Sequence, residues 1–259
     1  MRKNFLKFSV LISIFFVFFC LEVTGNTAEL KFTTQEFPPF SYQIGGVVSG
    51  PASEIIRAIC HEMSYKCSIK SLSWTRAQIE VKQGKAHGMF VIGWNENRAQ
   101  WLHYSLPIVK TQYGFFVRKN DPLEYKNPDD IKGYHIGVYG PSNTAKSLEK
   151  IKAKVKDVTV DISPNTEISF RKLSDGRVNA VYSNKAVGHS LISKLRLKNV
   201  RYAGLDKNLK YYIGFSQRYN NLEIINKFND TFKALYAKGV IHQILSMYNM
   251  EAAEIDDIK

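Results

Sequence analysis

The sequence predicts an α/β protein of two similar lobes, and three observations carry that reading. First, Gln83-Gly84-Lys85-Ala86-His87-Gly88-Met89-Phe90-Val91 and Ser174-Asp175-Gly176-Arg177-Val178-Asn179-Ala180-Val181-Tyr182 repeat one pattern. In each, an apolar-periodic helical run ends at a glycine and a basic residue, then enters a short apolar strand. Second, the copies start about ninety residues apart, each inside its own set of strand and helix signals, as expected of two cores rather than one. Third, the chain of 259 residues is long enough for two modest lobes and too short for several complete domains. A protein of this build keeps its ligand between the lobes.

The N-terminus is predicted to be a secretory signal peptide, residues 1–25. Arg2, Lys3 and Lys7 precede an apolar run over residues 8–23, broken by Ser13 and Glu22 and closed by Thr24-Gly25, with cleavage near Gly25 or Ala28. The run is shorter than the roughly 20 residues that a membrane span prefers. Phe18 and Phe19 stand before Cys20, where a lipid-modification site needs small residues. Removal of the leader leaves 234 residues and lowers the formal charge from +13 to +11. Lys146, Lys150, Lys152, Lys154 and Lys156 are dispersed, with no aromatic-interleaved groove or nucleic-acid motif beside them. A solvated basic surface is expected, not a nucleic-acid partner.

Two cysteines then remain, Cys60 and Cys67. They are either a disulfide tying a helix end to the next strand or two buried thiols, and an oxidising compartment favours the bridge. His61 lies beside them, but it faces another side of the helix and no fourth ligand is near, so no metal site is expected.

The elements follow in order. Residues 30–34 read as a strand, and Glu36-Phe37-Pro38-Pro39-Phe40-Ser41-Tyr42 as a proline-restricted aromatic loop, with turns at Gly45, Gly46 and Gly50. Ser53 is expected to cap a helix to residue 63; strands at 67–72 and 88–92 flank a helix at 75–83. A polar loop at 93–98 leads into a short helical turn, and residues 107–118 form a β-prone run long enough to pass between lobes. The second lobe opens with a turn at 127–130 and a strand at 134–138. A loop, Tyr139-Gly140-Pro141-Ser142-Asn143-Thr144, then feeds a helix and presents backbone N–H groups to an anion. That loop lacks the Gly-Lys-Ser/Thr ending of a nucleotide loop. Strands at 158–162, 178–182 and 211–216 alternate with helices at 166–173 and 184–193, and helices at 221–238 and 240–248 close the chain.

Taken together, Phe37-Pro38-Pro39-Phe40-Ser41-Tyr42, the helix-Gly-Lys-x-x-strand at 83–91, Asn97-Arg98 with Tyr104-Ser105-x-Pro107, Asp130-Ile131-Lys132-Gly133, the Gly140 loop, Gly176-Arg177-x-Asn179-Ala180 and Gly239…Ile244…Tyr248 fall in one order. In that order they resemble the solute-binding proteins of polar amino-acid ABC transporters, periplasmic solute-binding protein family 3, from about residue 30 to 250. The resemblance implies a type II periplasmic-binding-protein-like flytrap, each lobe a mixed sheet flanked by helices. Lobe 1 would comprise residues 26–108 and 213–259 and lobe 2 residues 112–209, with a two-strand hinge at about 108–112 and 210–213. The Cys60–Cys67 spacing also resembles a disulfide of some basic-amino-acid members.

Carried over by position, the resemblance makes Arg98 the clamp for a ligand carboxylate, a role suited to a planar guanidinium fork. Phe37 would pack on the ligand, and Ser142 and Asn143 would complete the carboxylate site, besides starting a helix. Asn184 stands where the family usually has the aspartate that holds a ligand ammonium, and His87 and Asn179 where it often has aspartate. The stretch before Arg98, Val91-Ile92-Gly93-Trp94, departs from the family's hydroxyl-rich one. Trp74, Arg76 and Trp94 are the candidates to compensate, either as cleft walls and a second cation or as core and solvated surface. If Arg98, Arg76 and His87 share the cleft, the expected solute is net anionic.

Three function classes follow: a solute-binding protein serving an inner-membrane ABC permease, a sensory binding protein serving a membrane receptor, and a dehydratase-like enzyme on a cyclic carboxylic acid. The last needs a general acid or base, for which Glu36, Glu96 and His87 are the candidates. His61, His103, His135, His189 and His242 are scattered and form no recognised triad. No cofactor is expected, and a monomer suits a closing flytrap.

Overall fold

The computed structural model describes residues 28–219 and 221–255, so the expected leader lies outside the described residues. The first half runs β1 (Glu29–Thr34), β2 (Tyr42–Ile44), β3 (Val47–Ser49), α1 (Pro51–Glu62), β4 (Lys66–Ser71), α2 (Trp74–Lys82), β5 (Gly88–Gly93), α3 (Glu96–Ala99) and β6 (Leu102–Tyr104). Next come β7 (Val109–Arg118), β8 (His135–Tyr139), α4 (Asn143–Lys152), β9 (Thr159–Ser163), α5 (Thr166–Ser174), β10 (Ala180–Asn184) and α6 (Lys185–Lys194). The chain closes with β11 (Val200–Ser216), α7 (Leu222–Ala237) and α8 (Val240–Ser246). Among the described residues no helix is long and apolar enough to cross a membrane.

The main sheet has the order β4-β1-β5-β11-β7-β10-β8-β9, with β6 also on β11. It consists of two parallel trios, β4-β1-β5 and β9-β8-β10, joined through the antiparallel pair β11–β7. Each trio is a β-α-β-α-β run with its first strand in the middle, and helices flank the sheet, which is the expected two-lobe, type II α/β fold.

The internal repeat has a structural cause. Helix α2 ends with Gly84 at φ +74 and α5 with Gly176 at φ +77, left-handed positions that suit glycine. The next amides then reach back identically, Lys85 N–H to Glu80 O at 2.8 Å and Arg177 N–H to Lys172 O at 2.8 Å. Just before each strand a side chain completes the ladder to the trio's central strand. His87 Nδ1 accepts from Lys31 N–H at 2.9 Å, and Asn179 Oδ1 accepts from His135 N–H at 2.9 Å. Both positions, where the family that the chain resembles often has aspartate, thus serve the sheet ladder.

Other departures have local reasons. Helix α1 starts at Pro51 with Gly50 as its N-cap, and the buried Ser53 hydroxyl donates to Gly50 O at 2.8 Å instead of capping. Strand β11 begins at Val200 rather than near 211, because Gly204, Asp206 and Asn208 break the apolar alternation while bulges at Tyr202/Gly204 and Leu205/Lys207 absorb them. The hairpin β2–β3 and the three-residue β6 carry too little periodicity to read. Near the C-terminus Ala252 bridges Val109, and Lys110 N–H donates to Glu251 O at 3.0 Å, adding an edge to β7.

Cys60 and Cys67 form a disulfide between α1 and β4, with Cα atoms 6.1 Å apart. Replacing either with serine is expected to remove about 2–3 kcal/mol of unfolding free energy, at the lower end because the loop is short. Chemical denaturation with and without reductant checks this.

Burial, then the neighbouring Lys31 charge, holds the His87 imidazole below its ordinary value. Between that lowered value and about 6.5 the unfolded chain binds a proton that the folded chain does not, so stability falls as pH drops through this window. His189 is shifted the same way by burial. His87→Asn, which copies Asn179, is expected to flatten part of that slope in urea unfolding series at pH 5, 6 and 7.

Candidate functional site: a buried guanidinium between two half-sheets

Strand β5 is buried along its whole length and ends at Gly93. The chain then turns outward at Trp94, and Asn95 caps α3 by accepting from Arg98 N–H at 2.9 Å. That single helical turn folds Arg98 back over the strand end. Its Nη1 donates to Gly93 O at 3.0 Å and its guanidinium carbon lies 5.0 Å from the centre of the Trp74 ring. Trp74, the first residue of α2, is buried, and Arg98 itself is 7% exposed.

Among the described residues no carboxylate pairs with Arg98. Burial pushes its proton affinity down, and the groups that act against this are the hydroxyls of Tyr104, Tyr113, Tyr211 and Tyr139. An arginine stays charged even so. A buried cation with one hydrogen bond to a carbonyl and an indole face beneath it is costly unless an anion completes it. The fork geometry of the group fits a carboxylate.

The facing wall comes from the second trio. Ser142 caps α4, accepting from Ala145 N–H at 3.0 Å and donating to Tyr139 O at 2.6 Å. Asn143 reaches across to the first trio. Its Nδ2 donates to Gly93 O at 3.2 Å, and its Oδ1 accepts from Asn95 Nδ2 at 2.7 Å. This approach needs glycine at 93, where a Cβ would stand 2.9 Å from Asn143 Nδ2. Tyr139 packs against the apolar cluster around Trp74, beside Tyr104 and Tyr212.

Beneath Arg98 the floor is built on β7 and β11. Tyr113 is bonded to Tyr211 and Thr144. Asn184, buried at the end of β10, donates from Nδ2 to Thr111 Oγ1 at 2.6 Å and to Tyr211 Oη at 3.0 Å. Its Oδ1 accepts from Val187 N–H at 3.2 Å as the cap of α6, so the amide is engaged on every side. Phe37 is half-buried at the margin, stacked on Phe40 at 5.6 Å and edge-on to Tyr211 at 6.1 Å.

The structure therefore brings Arg98, Trp74, Asn143, Ser142, Asn184 and Phe37 into one neighbourhood. Arg76 is not in it: its side chain is exposed and paired with Glu80 one turn along α2, because the helix turns residue 76 away from the face that buries Trp74 and Ala77. Trp94 is 57% exposed at the rim. His87 lies at the opposite end of β5 from Gly93, roughly 16–20 Å away at the rise of a strand, so the expected trio of Arg98, Arg76 and His87 does not assemble. Glu36 and Glu96 are exposed, Glu36 accepting from Gln43 N–H. The ring of tyrosines was missed from the sequence. Tyr104, Tyr113 and Tyr211 sit in or beside β-prone runs and read there as ordinary strand residues. Among the described residues no group of three His, Cys, Asp or Glu side chains could hold a metal ion.

Comparison with known proteins shows the family to which the chain belongs. A family model, bacterial extracellular solute-binding proteins, family 3, matches residues 31–251. A protein of Bacillus subtilis (strain 168), YxeM, described as a "probable amino-acid-binding protein", is 25% identical over 173 residues, which are 66% of this chain and 64% of that one. The L-cystine-binding protein TcyJ of Escherichia coli (strain K12) is 20% identical over 210 residues, 80% of this chain and 77% of that one. Among solved structures, one from work on glutathione import via GshT and the cystine ABC importer TcyBC of Streptococcus mutans aligns with a TM-score of 0.79 at 20% identity. It covers 90% of this chain and 100% of that chain, a likeness of fold. With its family model spanning nearly the whole described chain, the protein belongs to the bacterial extracellular solute-binding proteins, family 3.

Proposed function

We propose that this is an exported binding protein that closes around a small carboxylate-bearing solute and hands it to a membrane ABC permease. The observation that carries the reading is Arg98, a buried guanidinium without a carboxylate partner among the described residues, at the end of β5 where the two half-sheets face one another. The amino-acid and cystine ligands in the names of the relatives point to the same solute class. The described parts of 26–108 and 213–259 form one lobe and 112–209 the other. Bending is confined to about 108–112 and 210–213, within the two strands that both trios share. Closure is a hinge motion, and the contact of Asn143 with Gly93 and Asn95 is its latch. The protein works as a monomer and carries out no chemistry on its solute.

A thermal-shift screen of carboxylates and amines tests the reading. A true solute at a hundred times its Kd adds about 2.7 kcal/mol, or roughly 5–10 °C for a chain of this size. Arg98→Ala is expected to abolish the shift while leaving ligand-free stability equal or higher, since an unpaired buried charge is removed. Arg98→Lys does not rescue it, because an ammonium cannot make the fork.

Gly93→Ala tests the latch. The added methyl displaces Asn143, so affinity is expected to fall about tenfold, or 1.4 kcal/mol, with ligand-free melting nearly unchanged. Titration calorimetry reads the first quantity and a melting curve the second.

A further inference from the structure

The charges around the cleft restrict the solute further than the fold does. Arg98 is the buried cation there, and its nearest ionisable neighbours are tyrosine hydroxyls, which are neutral at physiological pH. The carboxylates nearest in sequence are turned elsewhere. Glu96 is exposed in the first turn of α3, Glu36 is exposed and accepts from Gln43 N–H, and Glu80 pairs with Arg76. Asp206 accepts from Tyr125 and Tyr182 on the second trio.

The amide of Asn184 offers no substitute. Its oxygen, which already accepts from Val187 N–H, carries no charge to neutralise a cation, and its nitrogen is a donor already directed at Thr111 and Tyr211. A solute ammonium needs acceptors, preferably charged ones, and leaving it unpaired beside a buried guanidinium adds like-charge repulsion to desolvation. A carboxylate alone meets the opposite situation. It neutralises Arg98, and Tyr139, whose hydroxyl has no hydrogen-bond partner among the described residues, stands on the facing wall as a further donor.

We propose, resting on the reading of the cleft as a carboxylate site, that the protein selects carboxylates that carry no free ammonium group, and that the neutral side chain at Asn184 sets this selection. Solutes of this class are net anions, with an apolar body accommodated between Trp74, Phe37 and the tyrosines.

The test is calorimetric titration of the purified protein with matched pairs that differ only in the amine: L-glutamate and glutarate, L-phenylalanine and 3-phenylpropanoate, L-valine and 3-methylbutanoate. In every pair that binds, the deaminated acid is expected to bind at least about tenfold more tightly. Asn184→Asp, the isosteric addition of one negative charge, is expected to narrow or reverse that ratio. If that variant does not fold, the ratio in the unaltered protein decides alone. Amino acids binding as tightly as their deaminated partners, with binding lost in Arg98→Ala, overturn the selection but leave the carboxylate site standing. Binding by no acid of either series, or binding indifferent to Arg98→Ala, overturns the carboxylate site and the selection with it.

Discussion

Everything in this molecule hangs on the antiparallel ladder between β7 and β11. Positions from Val200 to Tyr211 pair with positions from Arg118 back to Val109. Beyond that stretch β11 continues against β5 and β6, while the far side of β7 pairs with β10. Each parallel trio is therefore attached to the other through two strands and their backbone hydrogen bonds. The two bulges in β11 strengthen the local twist of that ladder. They also turn Asp206 so that it accepts from both Tyr125 and Tyr182, which anchors the bulged segment to the second trio.

The ends of the trios meet because the ladder holds them face to face. The loop after β5 delivers Arg98 and Asn95, and the loop after β8 delivers Ser142 and Asn143. Short polar side chains at these helix starts serve two purposes. They satisfy the first amides of α3 and α4, and Asn95 and Asn143 also recognise one another across the gap. The cost of the arrangement is concentrated in one group, the Arg98 guanidinium, which gives up water for a carbonyl and an indole face. An anion placed against the guanidinium would offset that cost.

Much of this was legible in the sequence where local physics decides it. The duplicated helix-glycine-basic-strand pattern corresponds to two equivalent Schellman-like helix ends and two equivalent trios. Arg98 is singled out by the family resemblance, and its place in a polar loop after a strand suits that role. What stayed hidden depended on long-range geometry. Nothing in the spacing of Trp74, Thr75 and Arg76 tells which side of α2 faces the cleft, so from sequence both alternatives stand for each residue; Trp74 is buried against Arg98, and Arg76 is solvated and paired with Glu80. His87 and Asn179 draw attention because the family often has aspartate there, yet parallel strands carry their sites at the other end. The tyrosines converge from β6, β7, β8 and β11, spread from Tyr104 to Tyr211 along the chain, and only the folded sheet brings their hydroxyls to one guanidinium.

The three tryptophans of the chain, Trp74, Trp94 and Trp101, all belong to this same corner of the molecule. Trp74 lies under the Arg98 guanidinium, Trp94 is exposed on the rim where Asn143 touches its carbonyl, and Trp101 packs at the edge of the cluster around Trp74. Indole emission responds to nearby charge and to water, so the protein carries a native optical reporter confined to one lip of its cleft. Neutralising the cation above Trp74 and covering Trp94 act on different fluorophores. Changes at the Arg98 guanidinium and changes at the rim therefore reach the emission through different indoles, without attaching any label.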